Sequence, residues 1–341
     1  KPWLLVYDDA DGPAALEGLV PASGAHVIAT SRRADWDGTA TAIPVGVLPH
    51  VEAVAYLQAH AHKPDAEAAG KLADALGCLP LALAQARATS HSMGLDFDDY
   101  RARMLDLRQR APRGAPYPDE VYATFDLALS QAAALAPHAG KLMSAAAYLA
   151  PDRITLDIFT ADTMSAHERA GAVAALEAVG LVWREMLDDG THGISLHRIV
   201  QAAMRNRLWQ IEEARRLGRS QDGDGDGGER AAIAEAMRLV AQAYPREVTS
   251  LDDWLACQRL HDHACSIVAA ARRLNDSDIT TQALPLARRV LAIEEASYGP
   301  DHPAVAHHYA TLAALLLDAN RPAEADPYIR HAYLTAEKTL G

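Results

Sequence analysis

From residue 231 to Gly341 the apolar residues recur with a helical period, and the run is punctuated by turn signals such as Gly299-Pro300 and Asn320-Arg-Pro322. A helical hairpin of this kind leaves one apolar face uncovered, and stacking on a neighbouring hairpin is what buries it. The C-terminal third is thereby constrained to a solenoid. The spacing predicts a helix over 304–319, a turn at 320–322 and a second helix over 323–340, with a further helix upstream over 286–298.

The opposite end reads differently. Residues 3–7 (Trp-Leu-Leu-Val-Tyr) form a continuous apolar run ending in Asp8, Asp9 and Asp11 and a Gly12-Pro13 break. This is the pattern of a buried parallel strand with carboxylates at its carboxyl edge. A second such strand, apolar through Ala29 and polar from Thr30 to Arg33, follows a short helix-like stretch around 13–20. Strand, crossover and strand with polar carboxyl ends is the form of a doubly wound sheet. Residues 43–48 read as a third, Pro-interrupted edge strand. The chain opens at Lys1, without methionine and directly before a strand, so it is expected to be a fragment truncated at its N-terminus.

Between these ends the period is helical from Val51 to about Arg110, with a Gly77-Cys-Leu-Pro-Leu81 break opening a new helix. A Pro-rich break over 111–118 precedes helices over about 119–150 and 166–179. Two short apolar runs around an Asp188-Asp189-Gly190 turn predict a β-hairpin, closed by a helix over 199–211. Residues 221–229 are acidic and glycine-rich, the composition of a linker. They imitate the start of a calcium loop, but the twelfth position is Ile233, where a bidentate Glu is required.

The net charge of −13 argues against a nucleic-acid binder, because phosphate neutralisation needs a basic face. Three cysteines, Cys78, Cys257 and Cys265, do not make a disulfide framework, and no run is long enough to span a membrane. A cytoplasmic protein is expected. Cys257, His261 and Cys265, with His263 nearby, form a helical stripe that reads first as core packing and second as a metal site.

Four motifs follow in order: a strand ending in Asp8-Asp9, a strand ending in Thr30-Ser31-Arg32, the Gly77-to-Leu81 break, and Leu196-His-Arg-Ile-Val-Gln201. Together they resemble the NB-ARC branch of the STAND nucleotide-switch ATPases, entered at the Walker B strand. The resemblance implies α/β plus mostly α architecture: a partial P-loop-type parallel sheet (1–48), a helical domain (49–112), a winged helix (113–214), a linker (215–230) and helical repeats (231–341). It implies Asp8 for Mg²⁺, Asp9 beside it for orienting water, Arg32 as the reader of the terminal phosphate, Pro80 against the adenine with Gly77 allowing the turn, and His197 on the diphosphate of ADP. Arginine suits its part because a planar donor fork matches phosphate oxygens. The sequence departs from the family in having Leu196 and Arg198 around the histidine, and no G-x-x-x-x-G-K-[ST] loop occurs. Each motif also has a plain structural reading: acidic turn residues, a proline opening a helix, a histidine closing a strand.

Residues 287–303, with Tyr309-Ala-Thr-Leu312 and Pro322-Ala-Glu-Ala-Asp-Pro-Tyr328, resemble the tetratricopeptide repeats of kinesin light chain, with small Ala313 and Ala325 at helix contacts. Three functions are therefore open. One is an ATP/ADP switch with a repeat groove for a protein or peptide, oligomerising on activation; its nucleotide and Mg²⁺ binding and slow ATP hydrolysis are expected only if a phosphate loop lies upstream. Another is a non-enzymatic repeat scaffold. The last is a DNA-binding winged helix carrying Arg205 and Arg207.

Overall fold

The computed structural model describes residues 3–8, 10–21, 23–31, 33, 36, 38–43, 45–59, 61, 63–108, 119–160, 162–187, 189–218 and 227–340. Two compact units divide the chain, Lys1–Val47 and Leu48–Gly341.

In the first unit, β1 (Trp3–Tyr7) pairs in parallel with β2 (Ala25–Ala29), Trp3 opposite Ala25 and Tyr7 opposite Ala29. The expected helix-like crossover is a single 3-10 turn at Pro13–Leu16. The expectation of a buried strand is not met. Trp3, Val6 and Ile28 are 75%, 62% and 55% exposed, because two strands and one short turn supply no layer for either face. Nor do 43–48 form a strand among the described residues. Ile43 and Val45 are exposed there, and a proline without an N–H weakens any ladder through this segment.

The second unit is mostly helical. It begins with α1 (His50–Gln58), α2 (Ala66–Ala75), α3 (Pro80–Met93) and α4 (Phe97–Arg108). Asp65 caps α2, its carboxylate accepting from the amides of Glu67 and Ala68 at 2.9 and 3.0 Å. The Gly77-Cys78 corner that separates α2 from α3 uses two successive left-handed residues, φ +59° and +53°. Glycine adopts this conformation freely.

Next come α5 (Asp119–Leu135), α6 (His138–Ala146), β3 (Ile154–Thr155), α7 (Ala166–Ala178), β4 (Trp183–Met186), β5 (His192–Ser195) and α8 (Arg198–Arg216). The stretch 119–150 is thus two helices rather than one, broken beside Pro137, whose ring cannot continue the preceding helix. The hairpin β4–β5 is antiparallel and gains β3 as a third strand, in the order β3-β5-β4. Gly190 turns the hairpin at φ +81°. A capping box starts α7: Ser165 accepts from the Glu168 amide while Glu168 accepts from the Ser165 amide.

The chain then runs through α9 (Glu229–Ala243), α10 (Leu251–Leu274), α11 (Ser277–Tyr298), α12 (Pro303–Asp318) and α13 (Pro322–Leu340). Successive helices pack on one another, and a continuous core carries Tyr100, Phe125, Leu142, Ile194, Ile267, Leu291 and Leu315. Each fully buried Leu or Ile of that core contributes roughly 1.5–3 kcal/mol. α11 starts nine residues earlier than the apolar spacing predicts and passes through Pro285. No helix of the described residues is long and apolar enough to cross a membrane.

Candidate functional site

The parallel register of β1 and β2 ends both strands at one edge, where Asp8 meets Thr30. The Thr30 hydroxyl donates to the Asp8 carboxylate at 2.5 Å, and the Ser31 hydroxyl donates to the Ala10 carbonyl at 2.7 Å. Two backbone bonds carry the pairing past the strands: the Thr30 amide to the Tyr7 carbonyl, 2.9 Å, and the Ala10 amide to the Thr30 carbonyl, 2.8 Å. A carboxylate with a neighbouring hydroxyl is a hard oxygen pair that fits magnesium held through water. The G-x-x-x-x-G-K-[ST] loop that cradles the phosphates of a magnesium nucleotide does not occur in this sequence. Asp9 and Arg32 lie outside the described residues.

Gly77 and Pro80 flank one exposed corner. Leu79 is the N-cap of α3 and Pro80 its first residue, a position where the missing N–H costs nothing. The Cys78 carbonyl accepts from the Leu48 amide at 3.1 Å, tying the corner to the segment that leads into α1. His197 heads a different helix, α8. Its Nδ1 accepts from the Ile199 amide at 3.1 Å, so the neutral ring carries its proton on Nε2, a donor suited to an anion. Burial, then the neighbouring Arg198 charge, push its pKa below the usual histidine value, against an opposing pull from Asp152. Leu196 is fully buried and its amide donates to the Pro151 carbonyl at 2.9 Å, which anchors the histidine to the sheet.

The two arginines of α8 proposed for DNA are engaged within the protein. Arg205 donates to the Ala147 carbonyl at 2.7 Å, and Arg207 pairs with Asp126 at 3.4 Å. Gln201, on the same helix and buried, donates to the carbonyls of Ala146 and Leu149, both at 2.9 Å, closing the end of α6.

In the solenoid, the cysteine–histidine stripe of α10 separates into parts. Cys257 is core. His263 is also buried: its Nδ1 accepts from the Ala150 amide at 3.1 Å and its Nε2 lies 3.3 Å from the Arg153 carbonyl. His261 and Cys265 instead face α12, where His308 joins them. The ligand atoms of His261, Cys265 and His308 all lie within 4.8 Å of one another. Behind His261, the Glu294 carboxylate of α11 stands 3.4 Å from Nδ1. Beside them a pocket of about 130 Å³ opens between α10, α11 and α12, lined by Cys265, Val268, Val290, His307, His308 and Thr311 among others. His308 and Glu294 are the residues that sequence reasoning missed; the only local sign was the His307-His308 pair.

Residues 277–338, which take in α11, α12 and most of α13, match the tetratricopeptide repeat family. No curated protein matches the chain. The C-terminal segment is a tetratricopeptide repeat region, an architecture that points to protein partners.

Proposed function

We propose that the chain binds a protein or peptide through its tetratricopeptide solenoid and that the segments ahead of the solenoid are the distal part of a nucleotide-controlled switch of the NB-ARC kind. The repeat match over α11–α13 carries the first half. The pocket between α10, α11 and α12 is the place on the repeats where a partner side chain would seat, with an apolar floor of Val268, Ala287 and Val290 and a polar rim of Arg272 and Thr311. Thr311→Arg fills that pocket. Peptides selected on the chain from a random display library should lose binding to this variant; equal binding to both proteins overturns the assignment.

The switch reading rests on the meeting of Asp8 with Thr30 at the carboxyl edge of two parallel strands, followed along the chain by the Gly77–Pro80 corner and a capping His197. In it, residues 1–48 belong to a nucleotide domain, 49–112 to a helical domain and 113–214 to a winged helix, whose three-stranded sheet and flanking helices support that reading. A linker over 215–230 joins them to the repeats. Asp8 holds Mg²⁺, Asp9 orients water, Arg32 reads the terminal phosphate of ATP, Pro80 lies against adenine and His197 donates from Nε2 to ADP. Nucleotide shifts the resting state only through different affinity for the closed and open forms, and opening releases a surface for homo-oligomerisation. The test is a pair of melting curves, one with Mg-ADP and one with Mg-ATP. A rise in Tm with Mg-ADP that disappears in His197→Ala, and one with Mg-ATP that disappears in Arg32→Ala, support the switch; no rise with either nucleotide leaves a repeat scaffold without nucleotide control.

A further inference from the structure

We propose that His261, Cys265 and His308 form a three-ligand site for a zinc-class divalent ion, with Glu294 orienting His261 and the fourth position open to the pocket between α10, α11 and α12. The site is separate from the nucleotide reading and stands or falls without it.

Tetrahedral zinc bonds thiolate at about 2.3 Å and imidazole at about 2.0–2.1 Å, which places sulfur and nitrogen about 3.6 Å apart across the ion. The Cys265 Sγ and His261 Nε2 are 3.5 Å apart. Two imidazoles on one such ion hold their ring centres about 5 Å apart; those of His261 and His308 are 5.3 Å apart, at 83° to each other. The widest of the three ligand separations, no more than 4.8 Å, exceeds the tetrahedral value by about 1 Å, within reach of a side-chain torsion. His261 and Cys265 are one helical turn apart on α10, and the third ligand comes from α12, so the set spans two segments as structural and catalytic zinc sites do.

The surroundings match as well. Metal-bound histidine characteristically donates its second nitrogen to a carboxylate, which fixes the tautomer and ring orientation. His261 Nδ1 is buried and has no hydrogen-bond partner, yet the Glu294 carboxylate lies 3.4 Å away, so ligation through Nε2 would place an N–H where that carboxylate can accept it. A thiolate and two imidazoles are a soft-to-borderline donor set, which excludes magnesium and calcium as natural occupants. An ion here ties α10 to α12 across α11 and sets the spacing of two successive helical hairpins.

Cobalt(II) reports on such a site directly, because thiolate ligation adds a near-ultraviolet charge-transfer absorption and tetrahedral geometry intensifies the visible bands. Titrating chelator-treated protein with Co²⁺ should produce both, with one equivalent displaced by Zn²⁺. Cys265→Ser should abolish the charge-transfer band, Cys78→Ser and Cys257→Ser should keep it, and Glu294→Gln should weaken binding about tenfold. Zn²⁺, but not Mg²⁺, should raise the Tm of the wild-type chain and leave that of Cys265→Ser unchanged. The absence of a charge-transfer band in the wild type, or its persistence in Cys265→Ser, overturns the proposal. So does a Zn²⁺-induced rise in Tm that Cys265→Ser retains.

Discussion

His197 combines two duties in one ring: Nδ1 caps α8 and Nε2 faces away from the cap. Only the neutral imidazole can accept at Nδ1, and burial depresses its pKa below the ordinary 6.5. Its contribution to stability is therefore complete above about pH 6.5 and is lost as pH falls through the lowered folded-state value. Asparagine also caps but does not titrate. His197→Asn should match the wild-type Tm near neutrality and lose less of it on acidification, which parallel melts at pH 7.5 and 5 would show. The place of this histidine between the hairpin and a helix was legible, but the capping bond was not, since histidine is not among the common N-caps. The partnership of His261 and Cys265 was half legible. Their spacing of four residues places them on one helical face, whereas His308 reaches them only through the packing of α10 and α12, a nonlocal fact with no period to reveal it.

At the scale of elements, the long helices were the most readable part, because an apolar stripe recurs over many turns; the caps Ser165 and Asp65 that start two shorter helices were seen only in the structure. The strand β3 escaped notice. Two residues carry no alternation, and Ile154-Thr155 becomes a strand only by lying against β5. The pairing of β1 with β2 was readable from their carboxyl ends, but their exposure was not, because an apolar run states what a strand needs and not what covers it. Element ends are also where single substitutions should tell most. Gln201→Leu keeps the side-chain volume and removes the donor shared by the carbonyls of Ala146 and Leu149. Leaving these buried acceptors without it should cost about 1–3 kcal/mol, read as a lower urea midpoint with an unchanged m-value.

For the molecule as a whole, the solenoid and the three-stranded sheet are joined by specific polar contacts. Arg259 of α10 pairs with Asp189 at 2.5 Å and donates to Thr191 at 2.8 Å in the hairpin turn, and buried His263 fastens the same helix to residues 150–153. Trp183 lies on β4 and Trp254 on α10. Single-tryptophan variants retaining one or the other should give coincident urea transitions; separated midpoints would mean that the two regions unfold independently.

The uncovered pair β1–β2 gives the chain a colloidal character set by a contest of forces. Its exposed apolar side chains are adhesive, and strand edges with no further strand among the described residues offer a template on which other molecules can add strands. A net charge of −13 holds like copies apart, but only over the screening distance, about 10 Å at 0.1 M salt and about 3 Å at 1 M. Light scattering of the chain should stay low in dilute buffer and climb with added sodium chloride. Val6→Lys, which puts a charge on β1, should flatten that climb, because ionic strength here acts as the tap that releases stickiness.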